Sequence, residues 1–162
     1  MLTLQQVTLS KWLKVMLIGV AVCGLVIYTV VFPALGQSIV ARYEEFSDSF
    51  WPWLIFIWVT GVPCFIAIIF AWRIATNIGA DQSFSLSNAK LLKWISILAA
   101  GDAAFFFIGN IVFLILNMNH PSIILFSSII VFAGVAISVA SAALSHLVMK
   151  ASVLQDQSDW TI

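Results

Sequence analysis

A chain of 162 residues that is 62% hydrophobic and only 9% charged is not a water-soluble domain, because globular chains carry about 25% charged residues. The formal net charge is zero and the seven Lys and Arg form no cluster. That argues against nucleic acid as a direct partner, since phosphate recognition needs a basic patch.

Four apolar runs hold the hydrophobic excess, and a single membrane domain accounts for the whole length. Met1–Ser10 is short, polar and uncharged, and Lys11 and Lys14 then flank Trp12. Val15–Leu35 is an unbroken apolar run. A signal peptide would have a core of about 7–15 apolar residues, so this longer run predicts a first transmembrane helix over about 13–35. Pro33 falls near the far interface, where it is expected to end that helix. Gly36–Phe50 follows as a polar, acidic loop, with Arg42 against Glu44, Glu45 and Asp48.

The second span, about 52–72, is bracketed by Trp51, Trp53 and Trp72, as in an aromatic interface belt. Pro63 inside it predicts a kink near Val59–Val62, and Thr60 is expected to satisfy a carbonyl freed there. The connector Arg73–Lys90 contains Asp81–Asn88, rich in capping residues, and Ser85 or Ser87 is the expected N-cap of the next helix. The third span covers about 91–116, Asn117–Ser122 is a tight uncharged turn, and the fourth span covers about 123–149. Lys150 closes it, and residues 151–162 form a polar tail.

Orientation follows from the bases. With the N-terminus inside, Lys11, Lys14, Arg73, Lys90, Lys93 and Lys150 lie on the inner side and only Arg42 on the outer. Cytoplasmic loops carry the Lys/Arg excess, so both termini are expected in the cytoplasm. The short connections predict a four-transmembrane-helix antiparallel bundle, N-in and C-in.

Asp102, near the middle of the third span among Ala99, Ala100, Gly101, Ala103 and Ala104, is the one formal charge deep in an apolar run. A carboxyl at that depth is costly and marks a candidate functional site. Counting from the charged flanks at about 1.5 Å per residue puts Ser138 level with Asp102, Ser141 one turn nearer the cytoplasm, and Thr60 at similar depth. These hydroxyls are expected to converge on Asp102, with Asn110 sharing the seam only loosely. The seam reads as a carboxyl in a small cavity serving a proton, cation or ligand, or as a carboxylic acid joined to serine hydroxyls as packing glue. The stripe Gly134, Ser138, Ser141 and Ser145 reads first as a packing face. Glu44, Glu45 and Asp48 are a candidate outer site for a cation or cationic peptide, or simply a solvated loop. Cys23 and Cys64 read as small buried hydrophobes, and no spacing of Cys and His suggests a metal site. No Gly-rich phosphate loop, Gly-x-Ser-x-Gly or His-Glu-x-x-His is present, so neither enzymatic activity nor a cofactor is expected.

Three stretches together resemble a bacterial membrane family catalogued as domain of unknown function 2975. They are Trp51–Pro63, with prolines near both ends; Ser83-Phe84-Ser85 followed by Asn88–Lys93; and the ending Asp159-Trp160-Thr161-Ile162. Trp160 stands where the family commonly has leucine, and Gln157-Ser158 where acidic residues are common. The resemblance implies four spans and no assigned activity. It also implies a cytoplasmic helix-turn-helix regulator as a partner, since family members often lie beside one. Residues Asp156–Ile162 are the expected dock, with Trp160 and Ile162 as apolar anchors.

The expected protein is therefore a non-enzymatic multi-pass protein of a bacterial plasma membrane. Its expected partners are the lipid bilayer, a cytoplasmic regulator and a second copy of the chain. The alternatives are a small transport, efflux or peptide-immunity protein using the intramembrane carboxyl, and a structural subunit of a membrane complex.

Overall fold

Unbroken apolar sequence in lipid must satisfy its own backbone, and a helix does so within one segment. The computed structural model, which describes residues 2–159, is accordingly helical, with no strand among those residues. Helix α1 (Leu2–Val26) passes through a π-helical turn (Ile27–Val31) into α2 (Phe32–Arg42). A 3-10 turn (Glu44–Ser49) leads into α3 (Phe50–Gly79), followed by α4 (Leu86–Ile115) and α5 (Pro121–Asp159). Four stretches are long and apolar enough to cross a membrane: Gln5–Arg42, Glu44–Gly79, Leu86–Ile115 and Pro121–Gln155. At 30–38 residues each they measure about 45–57 Å, against about 30 Å of hydrocarbon, so they tilt or project beyond it.

The four spans pack in chain order. Helix α1 lies on α3, α3 on α4, and α4 on α5, while α5 makes no close backbone approach to α1 or α3 among the described residues. The α4–α5 pair is the most extensive, and its small residues explain why. Gly134 seats against Ala103, Ser138 Oγ donates to the Ser96 carbonyl at 2.9 Å, and Ser145 Oγ donates to the Ala89 carbonyl at 2.7 Å. Such contacts let backbones approach closely where no hydrophobic effect drives helices together. At the end carrying both termini, Ser10 Oγ donates to the Ala75 carbonyl at 2.6 Å, and Lys14 Nζ lies 5.4 Å from the Trp72 ring centroid.

The connector between α3 and α4 is pinned by one residue. Asn88, 1% exposed, donates from Nδ2 to the carbonyls of Gln82 and Ser83 at 2.9 and 3.0 Å. Its Oδ1 accepts from Asn77 Nδ2 at 2.7 Å. Of the two expected caps, Ser85 is the one used, its hydroxyl accepting from the Asn88 N–H at 3.3 Å. Asp81 (φ 62°) turns the chain into this connector, and Asn117 (φ 56°) does the same after α4; both residue types tolerate the left-handed region.

Pro33 does not end the first span. The helix widens just before it, and the Phe32 N–H reaches back five residues to Ile27. In that register the carbonyl facing Pro33 is that of Tyr28, and proline has no N–H to offer it. Trp58 Nε1 donates to the Tyr28 carbonyl instead, at 2.9 Å. The helix then continues to Arg42, so most of the expected outer loop is helical. Likewise α5 does not stop at Lys150 but runs to Asp159. The tail anchors Trp160 and Ile162 lie outside the described residues.

Candidate functional site

Three helices bring polar side chains to one level of the bilayer. The π-helical turn presents Tyr28, whose ring lies on Gly61 of α3; a Cβ there would come within 3.0–3.2 Å of the ring. One turn along α3, Cys64 Sγ stands 3.8 Å from Asp102 Oδ2 of α4. Tyr28, Thr60, Cys64 and Asp102 line one common cavity and so form one cluster. The other carboxyl oxygen, Asp102 Oδ1, is buried and has no hydrogen-bond partner.

This cluster opens on a cavity of about 580 Å³, into which Asn110 and Ser127 also contribute. The remaining wall is apolar and is completed by Val20 of α1 and by Phe126, Ile130 and Ile137 of α5. Because α5 makes close backbone approach to α4 alone among the described residues, the cavity lies in the cleft that α5 leaves beside α1 and α3. An apolar chamber with a few convergent polar groups is the usual form of a small-molecule site. A polar atom without a partner in such a place costs about 1–3 kcal/mol; Oδ1 is itself covered by protein, so a donor in the cavity meets it only when the carboxyl turns about Cβ–Cγ.

The expected seam is only partly assembled here. Thr60 and Asn110 line the same cavity as Asp102. Thr60 Oγ1 donates to the Ile57 carbonyl at 2.7 Å, however, rather than to the Val59 carbonyl that faces Pro63. Asn110 Nδ2 donates to the Phe106 carbonyl at 2.8 Å. Ser138 is drawn to Ser96, the two hydroxyls 3.2 Å apart, and Ser141 is half-buried on the same helix. The depth count from Lys150 misplaces Ser138 because α5 continues beyond Lys150. Gly134 against Ala103 sets the register, and it leaves Ser138 beside Ser96, six residues before Asp102.

Tyr28 and Cys64 are the members that sequence reading missed. The sequence holds two features that bear on Tyr28: Gly61, a gap on α3 that a ring can fill, and Pro33, five residues after it. Cys23 is exposed on α1 and joins no cluster. Among the described residues no group of three His, Cys, Asp or Glu is placed to hold a metal ion.

A second cavity, about 620 Å³, lies at the opposite end from the termini. Rings of Tyr43, Phe46, Phe50 and Trp53 wall it, Glu45 faces it, and His120 lies across from them. Glu44 and Asp48, the other members of the expected acidic site, do not line it. His120 Nδ1 is engaged with Ser122 Oγ at 2.8 Å. Trp53 and Ile123 line both cavities and so stand between them.

The fold and these two chambers define a four-span integral membrane protein with a polar cluster at mid-span. The chain belongs to the family described as protein of unknown function DUF2975, whose model matches residues 34–162. It is similar to the uncharacterized membrane protein YoaS of Bacillus subtilis (strain 168), 25% identical over 157 residues that cover 96% of this chain and 97% of that protein. No solved structure matches. The family match includes Cys64 and Asp102 but begins after Tyr28.

Proposed function

We propose that this protein is a non-enzymatic binder of an amphiphilic small molecule that enters from the bilayer and donates a hydrogen bond to Asp102. The observation that carries the reading is Asp102 Oδ1, buried without a partner beside a chamber of about 580 Å³. The apolar walls suit an alkyl chain, and the cleft beside α5 suits entry from lipid rather than from water. In the orientation set by the base count the protein sits in a bacterial plasma membrane with both termini cytoplasmic. Occupancy is then reported by α5, which carries part of the cavity wall and also projects past Lys150 on the cytoplasmic side. The Asn88-pinned connector lies at that same end, and together they form the platform for the cytoplasmic regulator that the family resemblance implies.

Transport or efflux is the second reading. It is favoured by the sharing of Trp53 and Ile123 between the two chambers, which aligns them from the loop end to Asp102.

The test is photolabelling of the purified chain in nanodiscs with a long-chain primary amine carrying a diazirine. Labelling is expected on peptides containing Asp102 and Ile130, with loss of that labelling in Asp102→Leu. Labelling spread over the lipid-facing side of α1, or unchanged in Asp102→Leu, would refute the reading. Efflux of the same amine from vesicles, abolished by Asp102→Asn, would move the weight to transport.

A further inference from the structure

The chamber at the loop end has a different chemistry from the one at Asp102, and the two are independent in their polar residues. Tyr43 and Phe46 meet edge to face, with ring centroids 6.5 Å apart and planes at 71°, so they form a corner of two aromatic surfaces. Phe50 is drawn in toward α2 because Gly36 leaves room; a Cβ there would stand 2.8 Å from the ring. Trp53 adds the inner wall and is itself fixed edge-on by Phe32, centroids 6.3 Å apart at 89°. Glu45 is exposed on this chamber and forms no ion pair among the described residues. No Lys or Arg lines it, since Arg42 lies outside the lining; His120 stands on the far wall with Nδ1 engaged by Ser122 Oγ at 2.8 Å.

Aromatic faces and one carboxylate attract a cation that sheds water easily. The negative face of a ring draws an organic ammonium within about 6 Å, and methylated ammonium groups are the ligands that aromatic enclosures recognise. A small hard metal ion needs several oxygen ligands instead, and this chamber offers one carboxylate. We infer that the loop-end chamber of Tyr43, Glu45, Phe46, Phe50 and Trp53 binds an alkylated or quaternary ammonium group, either on a free solute or on a lipid headgroup. This site does not depend on the intramembrane reading, because none of its charged or ring groups except Trp53 touches the inner cavity.

The experiment titrates benzyltrimethylammonium into the purified chain in nanodiscs of phosphatidylglycerol, following tryptophan fluorescence. Saturable binding is expected. Neopentylbenzene, its uncharged carbon analogue, should bind about tenfold more weakly, which tests the cation preference without any substitution. Glu45→Gln should weaken the ammonium about threefold and Tyr43→Ala about fivefold, with little change for the uncharged analogue. Asp102→Asn should leave the titration unchanged, separating this site from the one at mid-span. Repeating it with phosphatidylcholine assigns the source: competition marks a lipid headgroup as occupant, and no competition marks a free solute. A non-saturable signal, equal binding of the uncharged analogue, or full affinity in both Glu45→Gln and Tyr43→Ala would overturn the inference.

Discussion

Replacing Asp102 with leucine should make the protein more stable. The substitution keeps the branching at Cγ and removes both carboxyl oxygens. One of them, Oδ2, has only a thiol at 3.8 Å, and the other has no partner. Polar contacts between membrane helices average about 0.6 kcal/mol in double-mutant cycles on one membrane protein, and a thiol at 3.8 Å is worth about that. Removing a buried, unpartnered acceptor returns about 1–3 kcal/mol. The difference is a gain of about 0.5–2.5 kcal/mol, and the same variant should lose amine photolabelling. Such an exchange of stability for function is expected where a polar group is kept for a ligand. The assay is reversible unfolding in mixed micelles with rising dodecyl sulfate, followed by tryptophan fluorescence. A Cys64→Ala cycle, run in wild type and in Asp102→Leu, should give a coupling below about 0.6 kcal/mol. Destabilisation by more than about 1 kcal/mol in Asp102→Leu would show that the carboxyl holds helices together, and the ligand argument would fall with it.

Two further outcomes follow from the same structure. Trp58→Phe leaves the Tyr28 carbonyl without its donor and should cost about 1–3 kcal/mol in the same unfolding assay. Pro33→Ala restores an N–H and should recover much of that loss in the Trp58→Phe background while doing little alone; failure of the rescue would sink the register argument. Asn88→Ala removes three hydrogen bonds of the connector, about 1 kcal/mol each, with partial rehydration of the freed carbonyls. A net loss of about 1.5–3 kcal/mol is expected, with faster amide exchange confined to residues 80–90, and a change under about 0.5 kcal/mol would refute it.

The four spans were legible because lipid leaves a chain few choices. Long apolar runs, aromatic flanks and capping residues such as Ser85 each state their element locally. Asp102 was legible for the same reason, as a carboxyl out of place. Its partners were not, because they depend on register between helices. Thr60 was counted to the cavity that Asp102 lines, but the count from Lys150 put Ser138 about a turn away from where it lies, because flanks mark the interface and not the helix end. The α5 helix continues past Lys150, and Gly134 on Ala103 decides which residues of α5 meet α4. Tyr28 reaches the site only through a widened turn, which Pro33 five residues on permits but does not by itself require.

The irregularities of this fold gather at one level. The π-helical turn carries Tyr28, the proline of α3 stands next to Cys64, and Asp102 sits among alanines and glycine on α4. A helix pair built for stability alone would place such features apart, since each weakens backbone hydrogen bonding or packing. Elsewhere the chain takes ordinary solutions: serines donate to carbonyls across α4 and α5, and Ser10 joins α1 to α3. Even the aromatic cluster of Phe56 with Phe105, Phe106 and Phe113 packs beside the cleft without a polar atom in it. Gly109 lets that cluster close, because a Cβ there would collide with the Phe56 ring. The contrast between a well-packed α4–α5 seam and a cleft where α5 makes no close backbone approach to α1 or α3 among the described residues is what gives Asp102 a chamber rather than a partner. A structural subunit would need the seam but has no use for the chamber. On the reading proposed above, the seam holds α4 to α5 and the cleft admits the ligand.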